Sequence, residues 1–460
     1  MTEVLKCISP IDGTVLVERP LLGLEQAKAA AARAKAAQPA WAARPLQERI
    51  DLVLAAVAAI GEMDDQIVPE LAQQMGRPVR YGGEFSGFQD RARYMAEIAE
   101  QALAPMPVED TEQFKRYIAR EALGVVLVVA PWNYPFMTAI NSIAPALIAG
   151  NTVVLKHASQ TPLVGERLAQ AFAQAGVPSD VFQNLFLGHD TTSALIAGRC
   201  FDFVNFTGSV GGGQAIERAA AGTFTGIGLE LGGKDPGYVT EDADLEAAVA
   251  TLIDGAMFNS GQCCCGIERI YVIDSLYDDF VAKAVEIVNG YQLGNPLDPN
   301  TSLGPMAHKR FADEVRRQTA EAIAAGARPL IDPAQFPQDD GGAYLMPQIL
   351  INVDHSLRVM REESFGPVVG IMRVSDDAEA IRLMNDSDFG LTASIWTADL
   401  ARAERIGAAL QTGTVFMNRA DYVDPGLCWS GCKNTGRGGA LSVIGYQNLT
   451  RPKSYHLKKA

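Results

Sequence analysis

Short apolar runs and amphipathic segments alternate along the middle of the chain, beginning at residue 124. The apolar runs predict buried strands over residues 124–130, 152–156, 182–187, 201–207 and 227–231. Helical spacing between the runs predicts helices up to residue 149 and over residues 161–175, 191–197 and 208–221. Continuously apolar strands that alternate with helices are typical of a parallel sheet covered on both faces. Such a sheet binds ligands at the carboxyl ends of its strands.

The same alternation returns between residues 235 and 418, which predicts a second α/β unit. Apolar strands are expected at residues 269–273, 368–373 and 393–396, and long helices at residues 276–289 and 312–325. The sequence has no internal repeat and no flexible tether between the two units.

Other patterns occur towards the ends of the chain. Residues 24–62 are rich in alanine at helical spacing and predict two helices, broken near Pro39 and Pro45. Residues 104–121 begin with prolines and continue as a charged, alternating stretch, which predicts an exposed arm or hairpin. We expect residues 454–457 to form an edge strand that pairs with this arm or with another subunit.

Composition narrows the class of protein and its partners. Of the 460 residues, 48% are hydrophobic and 20% are charged, which excludes a wholly disordered chain. The formal net charge of −15 argues against binding to the phosphate backbone of nucleic acids. The longest apolar run, residues 122–132, is shorter than the ~20 residues that cross a bilayer, and we see no export signal. We therefore expect a cytoplasmic protein with no nucleic-acid or membrane partner.

The cysteines suggest thiol chemistry. There are seven, an odd number, and three are adjacent, which predicts reduced thiols and argues against a disulfide framework. The pair at positions 428 and 432 has no matching pair of histidines or cysteines, so we expect no metal site. The seven are Cys7, Cys200, Cys263, Cys264, Cys265, Cys428 and Cys432.

The segment Asn-Ser-Gly-Gln-Cys-Cys-Cys-Gly at residues 259–266 is the strongest candidate for chemistry. A nucleophilic thiol reacts as the thiolate and needs a lowered pKa and access to the substrate. Glycines on both sides of the cysteines permit a close approach to the backbone. The alternative is that these cysteines are small buried apolar residues.

Two polar residues stand where predicted strands end. Glu230 comes before two glycines, and partial burial there raises the pKa of a carboxyl group and suits a general base. Its alternative role is a structural ion pair, for example with Lys234. Asn133, in Ala-Pro-Trp-Asn-Tyr-Pro, has an amide that can donate to a developing oxyanion, or it serves only a turn.

Two further motifs are less specific. Residues 206–213 join a strand to a helix start through glycines, and the backbone N–H groups there suit a phosphate. A plain strand-to-helix turn is the alternative. The chemistry of Glu-Glu-Ser-Phe-Gly-Pro at residues 362–367 cannot be derived from residue types alone.

Together, and in this order, the five motifs resemble the aldehyde dehydrogenase superfamily, over a span from residues 9–13 to residues 454–457. The resemblance implies an α/β fold of two doubly wound α/β domains, a Rossmann-like cofactor domain and a catalytic domain, with a small β oligomerisation arm. The implied boundaries are 1–103 and 122–232 for the cofactor-binding domain, 233–440 for the catalytic domain, and 104–121 and 441–460 for the arm and C-terminal strand. A homodimer or homotetramer is implied as well.

The resemblance is to the non-acylating, NAD(P)-dependent type of enzyme, and it also implies roles for individual residues. Cys264 is the nucleophile, Glu230 the general base that activates water, and Asn133 the oxyanion donor. The substrate pocket includes Tyr134, Met137, Cys263 and Cys265. The cofactor contacts are Trp132, Lys156, Ser159, Gly208, Ser209, Leu231, Glu363 and Phe365. The reaction is oxidation of an aldehyde to the carboxylic acid through a thiohemiacetal and a thioester.

Three departures from the family pattern change what is expected. Ser159 stands where many members have a glutamate that repels a 2′-phosphate, so NADP use is permitted and NAD stays open. Ser142 replaces a lysine that assists proton movement in many members. Cys-Trp-Ser-Gly at residues 428–431 replaces the usual Pro-Phe-Gly-Gly, which alters the mouth of the pocket.

The substrate is the least determined part. Residues 131–147 carry no charge and include bulky side chains, which favours a neutral aromatic or medium aliphatic aldehyde. A semialdehyde anchored by Arg419 is the alternative, and a surface ion pair is the competing role of that arginine. A coenzyme A-acylating enzyme is disfavoured by Glu230. A nucleotide-binding protein without catalysis and a cysteine hydrolase are further alternatives.

Overall fold

The apolar runs become the strands of two large sheets in the computed structural model, which describes residues 3–459. The strands are β1 (Val4–Ile8), β2 (Val15–Pro20), β3 (Met106–Asp110), β4 (Phe114–Ala122), β5 (Val125–Val129), β6 (Thr152–Lys156), β7 (Phe182–Asn184), β8 (Phe203–Thr207), β9 (Gly226–Glu230), β10 (Asp235–Val239), β11 (Ile267–Ile273), β12 (Arg328–Pro329), β13 (Gln348–Ile351), β14 (Val368–Val374), β15 (Phe389–Gly390), β16 (Thr392–Trp396), β17 (Thr414–Met417), β18 (Cys432–Lys433), β19 (Gly436–Arg437) and β20 (Thr450–Lys458).

Helices lie between the strands. They are α1 (Leu24–Ala42), α2 (Leu46–Glu62), α3 (Asp64–Met75), α4 (Phe85–Leu103), α5 (Pro135–Ile148), α6 (Pro162–Gln174), α7 (His189–Ala197), α8 (Val210–Ala220), α9 (Leu245–Met257), α10 (Tyr277–Asn289), α11 (Lys309–Ala324), α12 (Arg358–Arg361), α13 (Asp377–Asn385), α14 (Leu400–Ala409) and α15 (Ser442–Asn448). Within residues 3–459, no helix is both long and apolar enough to cross a membrane.

The first sheet has the order β19-β9-β8-β5-β6-β7. Strands β5 to β9 pair in parallel, and β19 joins β9 in the antiparallel direction. The central strands β5 and β6 are buried along their whole length, because helices pack on both faces of the sheet. This parallel, doubly covered sheet confirms the predicted α/β class.

The second sheet has the order β12-β13-β14-β11-β10-β16-β17. Its strands are parallel except for β12, which pairs antiparallel with β13 at the edge. The predicted strands at residues 269–273, 368–373 and 393–396 lie within β11, β14 and β16. Apolar runs predicted these strands well because both faces of each strand are covered.

A three-stranded antiparallel sheet, β20-β4-β3, forms the predicted arm. The strand expected at residues 454–457 is longer than predicted, since β20 pairs with β4 from Thr450 to Lys458. Tyr117 and Tyr455 stack across this pair with ring centroids 4.6 Å apart. Helix α15 precedes β20 and packs against α4 and α5. The C-terminal segment is therefore held by these two helices as well as by β4.

The predicted helix break near Pro39 is wrong. Helix α1 continues through Pro39 to Ala42, and the only interruption before α2 is at residues 43–45. Pro39 lies in the last turn, where Trp41 is 1% exposed and its indole N–H donates to the Leu147 carbonyl at 2.9 Å. This buried anchor holds the final turn in helical geometry despite the missing proline N–H.

Candidate active site

Four of the predicted polar residues meet at the carboxyl edge of the first sheet. Glu230 is the last residue of β9 and Lys156 the last residue of β6. Asn133 lies in the turn between β5 and α5, and Ser209 lies between β8 and α8. Because these strands are parallel, the four side chains share one edge, which is where such sheets bind ligands.

A cavity of about 360 Å³ brings the predicted nucleophile and base together. Cys264 and Glu230 both line it, as do all four predicted pocket residues. Those four are Tyr134, Met137, Cys263 and Cys265. Asn133 is 6% exposed and does not itself line the cavity; it immediately precedes Tyr134, which does. The aromatic side chains of Phe258 and Trp429 complete the apolar part of the wall.

A strained turn presents Cys264 to this cavity. Asn259 and Ser260 have left-handed φ angles of 53° and 55°, and Gly261 follows with φ 69°. A side chain at Gly261 would collide with the backbone of Gly366, since an added Cβ would be 2.3 Å from its carbonyl carbon. The side-chain amide of Gln262 stabilises this turn. Its N–H donates to the Asn259 carbonyl, and its oxygen accepts the Ala307 N–H at 2.7 Å.

The two cysteines beside Cys264 change its acidity. The adjacent Cys263 and Cys265 thiols lower the pKa of the Cys264 thiol, although burial alone would raise it. Cys263 and Cys265 are 4% and 3% exposed, whereas Cys264 is partly open to the cavity. A thiol with a lowered pKa that faces a cavity is suited to act as a nucleophile.

Glu230 is not engaged in the structural ion pair that the sequence left open. Lys234 instead pairs with Glu268, with Nζ 2.5 Å from Oε2, and both side chains are buried. Burial raises the pKa of Glu230 to about 7, against a smaller lowering by the Thr207 hydroxyl, which donates to its carboxylate at 3.3 Å. A carboxyl group with this pKa can accept a proton from water near neutral pH.

The Asn133 side chain is free to face a ligand. Its main-chain carbonyl accepts hydrogen bonds from Arg77 and, at 3.4 Å, from Asn259. Its side-chain amide makes no hydrogen bond to any residue between 3 and 459. The backbone is therefore held while the amide keeps both N–H groups for another partner.

The Lys234–Glu268 pair links the Gly-Gly-Lys segment after Glu230 to the motif at residues 362–367, whose chemistry the residue types did not explain. The Glu268 carboxylate accepts the N–H groups of Ser364 and Phe365 at 2.8 and 2.9 Å. Glu363 is thereby held against the Gly-Gly segment, where it accepts the Gly233 N–H at 3.0 Å. Burial, with the nearby Glu268 charge, raises the pKa of Glu363 to about 8.

The residues at the sheet edge fit a dinucleotide. Lys156 is 9% exposed, and its ammonium has no hydrogen-bond partner among residues 3–459. Ser209 caps α8 by accepting the Gly212 N–H at 3.2 Å, so the first N–H groups of this 11-residue helix point towards the edge. A buried free ammonium and a helix N-terminus both suit the phosphates and ribose hydroxyls of such a ligand.

The remaining predicted cofactor residues lie around the same edge. Trp132 contacts Phe365 edge to face, with ring centroids 5.5 Å apart. The Gly208 N–H donates to the Glu230 carbonyl at 3.0 Å, and Leu231 packs on α8 at Gly213. Ser159 is exposed in the turn after β6, three residues beyond Lys156.

Two residues that depart from the family pattern lie in different places. Ser142, which stands where many family members have a lysine, is buried. Its hydroxyl accepts a hydrogen bond from the Asn205 amide. Trp429 lines the cavity. Arg419 does not: its guanidinium is exposed and lies 3.4 Å from the Tyr422 ring centroid.

Sequence reasoning missed three charged residues near the site. Arg77 and Glu84 form a buried ion pair on both sides of a short turn, and Arg91 on α4 lines the cavity. The signal was present in the spacing, because Arg91 shares the apolar face of α4 with Phe88 and Met95. A charge on the buried face of an amphipathic helix marks a functional position.

Comparisons with known proteins agree with this geometry. The family model described as "Aldehyde dehydrogenase family" matches residues 1–455. A succinate-semialdehyde dehydrogenase [NADP(+)] of Deinococcus radiodurans is 33% identical over 447 residues, covering 97% of this chain and 93% of its own. The lactaldehyde dehydrogenase of Escherichia coli is 34% identical over 455 residues, covering 98% and 94%.

Solved structures give the same answer for the fold. An indole-3-acetaldehyde dehydrogenase in complex with NAD+ superposes with a TM-score of 0.94 at 31% identity, covering 99% of this chain and 94% of its own. NADP and NAD thus both occur among the similar proteins. The chain belongs to the aldehyde dehydrogenase family and is an NAD(P)-dependent oxidoreductase.

Proposed function

We propose that the protein oxidises an aldehyde to its carboxylic acid through a covalent intermediate on Cys264. One observation carries this proposal: Cys264 and Glu230 line the same cavity and have pKa values shifted in opposite directions. A more acidic thiol supplies the nucleophile, and a less acidic carboxyl group supplies the base.

The first step is attack of the Cys264 thiolate on the aldehyde carbon, which forms a thiohemiacetal. The carbonyl oxygen becomes an oxyanion, and we assign its stabilisation to the Asn133 amide together with a backbone N–H. Because the Asn133 amide has no partner among residues 3–459, it needs no reorganisation before it donates.

A nicotinamide dinucleotide would supply, when bound, the two-electron acceptor that the oxidation of the thiohemiacetal to the thioester requires. We assign its binding to Lys156 and the α8 N-terminus for the ribose and phosphates, and to Glu363, Phe365 and Trp132 for the nicotinamide end. Exposed Ser159 carries no charge that would repel a 2′-phosphate, which supports use of NADP as well as NAD.

Glu230 then acts in release of the acid. It accepts a proton from a water molecule that attacks the Cys264 thioester, and the acid leaves as the thiol is regenerated. The absence of an ion pair to Lys234 leaves the Glu230 carboxylate available for this role. A hydrolytic base also argues against transfer of the acyl group to coenzyme A.

For the substrate, we propose a neutral aromatic or medium aliphatic aldehyde. The walls formed by Tyr134, Met137, Phe258 and Trp429 are apolar, and a cavity of about 360 Å³ accommodates such a molecule. Arg419 gives no direct support to the semialdehyde alternative, since Arg419 does not itself line the cavity: its exposed guanidinium lies on the ring of Tyr422, which does line it.

Arg91 favours a semialdehyde as the second candidate. Arg91 is 9% exposed at the cavity wall, and its guanidinium donates through Nη1 to the Met137 carbonyl at 2.8 Å, which leaves other N–H groups for a carboxylate. The comparison of Arg91→Leu with the wild type separates the two candidates. A selective loss of kcat/KM for succinate semialdehyde, with hexanal and benzaldehyde retained, would favour the semialdehyde.

We also propose that the arm, β20-β4-β3, pairs subunits in a homodimer or homotetramer. Strand β20 presents exposed residues along most of its length, and its outer edge is unpaired within residues 3–459. Light scattering after size-exclusion chromatography gives the number of subunits directly. A monomer at micromolar concentration would exclude this part of the proposal.

The experiment that tests the activity is an initial-rate assay over a panel of aldehydes, each with NAD and with NADP. Absorbance of the reduced nucleotide reports turnover, and Cys264→Ala is the control. Activity that disappears in Cys264→Ala is expected. Aldehyde oxidation that persists in this variant would overturn the assignment of the nucleophile.

A further inference from the structure

We propose that Cys263, Cys265 and Asp421 form a binding site for a thiophilic divalent cation such as Zn²⁺, and that an ion bound there closes the aldehyde cavity. The site is distinct from the chemistry assigned to Cys264 and Glu230. It rests on the placement of three ligand atoms from two distant parts of the chain.

The three ligand atoms converge closely. The two sulfur atoms are 3.5 Å apart, and Asp421 Oδ1 is 3.2 Å from Cys263 Sγ and 2.9 Å from Cys265 Sγ. Zinc binds sulfur at ~2.3 Å and carboxylate oxygen at ~2.0–2.2 Å, so tetrahedral ligands are separated by roughly 3.6–3.8 Å. An entering ion would move these atoms apart by less than about 1 Å.

The backbone holds both parts of the site in place. Two turn hydrogen bonds fix the cysteines: Cys263 N–H donates to the Gly261 carbonyl at 3.0 Å, and Gly266 N–H donates to the Cys263 carbonyl at 3.2 Å. Asp421 has a left-handed φ of 48°, which directs this loop residue towards the cysteines. A side chain held in such a conformation is typical of functional positions.

The donor set selects the type of ion. Two sulfur ligands favour Zn²⁺ and other thiophilic cations over Mg²⁺ and Ca²⁺, which prefer oxygen. A further carboxylate, that of Asp254, lies in the same cavity wall and adds negative potential. Binding replaces one proton on each thiol, so a divalent cation and two thiols give a bis-thiolate complex and release two protons to solvent.

The position of the site explains why occupation stops the enzyme. The two ligand cysteines flank Cys264 in sequence, and all three line the cavity with Asp421 and Glu230. Three protein ligands leave one tetrahedral position open on the cavity side. Water or the Cys264 thiolate would take that position, and the aldehyde would then be excluded.

Titration with Co²⁺ tests the site by a readout that is independent of activity. The full-length Cys264→Ser variant is titrated, because the nucleophile is then unable to supply the thiolate. We expect one equivalent of tetrahedral Co²⁺ with sulfur-to-metal charge-transfer absorption, which Zn²⁺ displaces. Adding Cys265→Ser or Asp421→Asn to this background should weaken binding at least ~100-fold.

The matched control is Cys200→Ser in the same background, which removes a thiol that does not line the cavity. It should bind Co²⁺ like its parent. Circular dichroism and Tm of each variant identify loss of binding that is caused by misfolding, and Asp421→Asn preserves the shape of the side chain. No charge-transfer absorption in Cys264→Ser, or equal absorption with and without Cys265, would overturn the proposal.

Inhibition of the wild-type enzyme forms the second arm, which rests on the proposed function. Zn²⁺ should raise KM for the aldehyde with a smaller effect on KM for the nucleotide, and a chelator should restore activity. If the Co²⁺ titration succeeds and no aldehyde is oxidised, the metal site stands and the proposed function fails. If oxidation is observed and Co²⁺ does not bind, only the metal site fails.

Discussion

Arg77 and Glu84 form a buried ion pair, with Nη1 2.6 Å from Oε1, next to the turn that carries Asn133. The second Glu84 oxygen accepts the N–H groups of Phe136 and Met137 at 3.0 and 2.7 Å, in the first turn of α5. Another Arg77 nitrogen donates to the Asn133 carbonyl. One ion pair therefore holds the main-chain carbonyl of the proposed oxyanion donor and the start of the helix that follows it.

Replacing Arg77 with lysine should lower kcat by about 10²-fold with a smaller change in KM. Lysine keeps the charge but lacks the fork that bonds Glu84 and the Asn133 carbonyl together, and a displacement of ~1 Å costs about this much. Steady-state kinetics measure the effect. Arg44→Lys, which alters the exposed pair with Glu48, is the control and should match the wild type.

The Arg77–Glu84 pair should also contribute to the free energy of unfolding, which substitution of Glu84 tests. Glu84→Gln leaves the Arg77 charge buried without its partner, which typically costs ~3–5 kcal/mol. Urea unfolding should show this loss for Glu84→Gln and a change below ~1 kcal/mol for Glu48→Gln on the surface. Equal effects of the two substitutions would mean that the buried pair is not a structural anchor.

Asn133→Ala should lower kcat by ~10²–10³ and leave the fold intact. The loss corresponds to one oxyanion donor. Stability should change little, because the side-chain amide has no hydrogen bond to residues 3–459. Kinetics and Tm measured on the same preparation check both parts. A large fall in Tm would indicate that Asn133 is structural, as the turn alternative holds.

The pH dependence of thioester hydrolysis should follow the ionisation of Glu230, because burial raises the pKa of its carboxyl group to about 7. Hydrolysis of the thioester needs the carboxylate, so its rate should rise with pH through about 7 and level off above. The free energy of unfolding should change in the opposite direction and fall as pH rises. The folded carboxyl group holds its proton up to about 7, whereas the unfolded one releases it at its ordinary lower pKa, so this contribution is lost as pH rises towards 7.

Glu230→Gln tests both parts of this pH dependence. The substitution should remove the rise in the hydrolysis rate and flatten the fall in stability over the same interval. Stopped-flow kinetics and urea unfolding at several pH values measure the two quantities. A pH profile that is unchanged in Glu230→Gln would assign the dependence to another group.

Ser159→Glu should reduce kcat/KM for NADP by more than ~10-fold with little effect on NAD. A carboxylate in this exposed turn, three residues after Lys156, would repel a 2′-phosphate. Ser179→Glu is the matched control: it adds the same charge before β7, at the amino edge of the sheet. Equal losses for both nucleotides would mean that position 159 does not read the 2′-phosphate.

Local patterns were enough to predict the five parallel strands of the first sheet and β11, β14 and β16 of the second, but not β10, β13 and β17 or the pairs that assemble the site. Strand β6 occurs as predicted because both of its faces are buried, and Glu230 ends β9 as expected. The sequence left open an ion pair between Lys234 and Glu230. Lys234 forms its ion pair with Glu268 instead, and the spacing of these two residues along the chain does not predict that contact. Packing of Trp41 likewise overrides the helix-breaking tendency of Pro39.

The cluster around Cys264 was partly visible. The three adjacent cysteines could be singled out from sequence, but the convergence of two of them on Asp421 depends on contacts between residues more than 150 positions apart. Arg77 and Arg91 were missed because their segments carry no catalytic motif. The spacing along α4 could have placed Arg91 on the buried face, whereas the position of Arg77 against Tyr134 of the cavity wall is revealed only by the tertiary structure.

Passage of the acyl group through Cys264, with its release completed by Glu230, is tested most directly by one measurement. Glu230→Gln is mixed rapidly with a reactive aldehyde and nucleotide, and the protein is then digested for peptide mass mapping. We expect a burst of about one reduced nucleotide per subunit, slow turnover afterwards, and an acyl group on the Cys264 sulfur. A linear progress curve without an adduct, or an adduct on Cys263 or Cys265, would contradict the account.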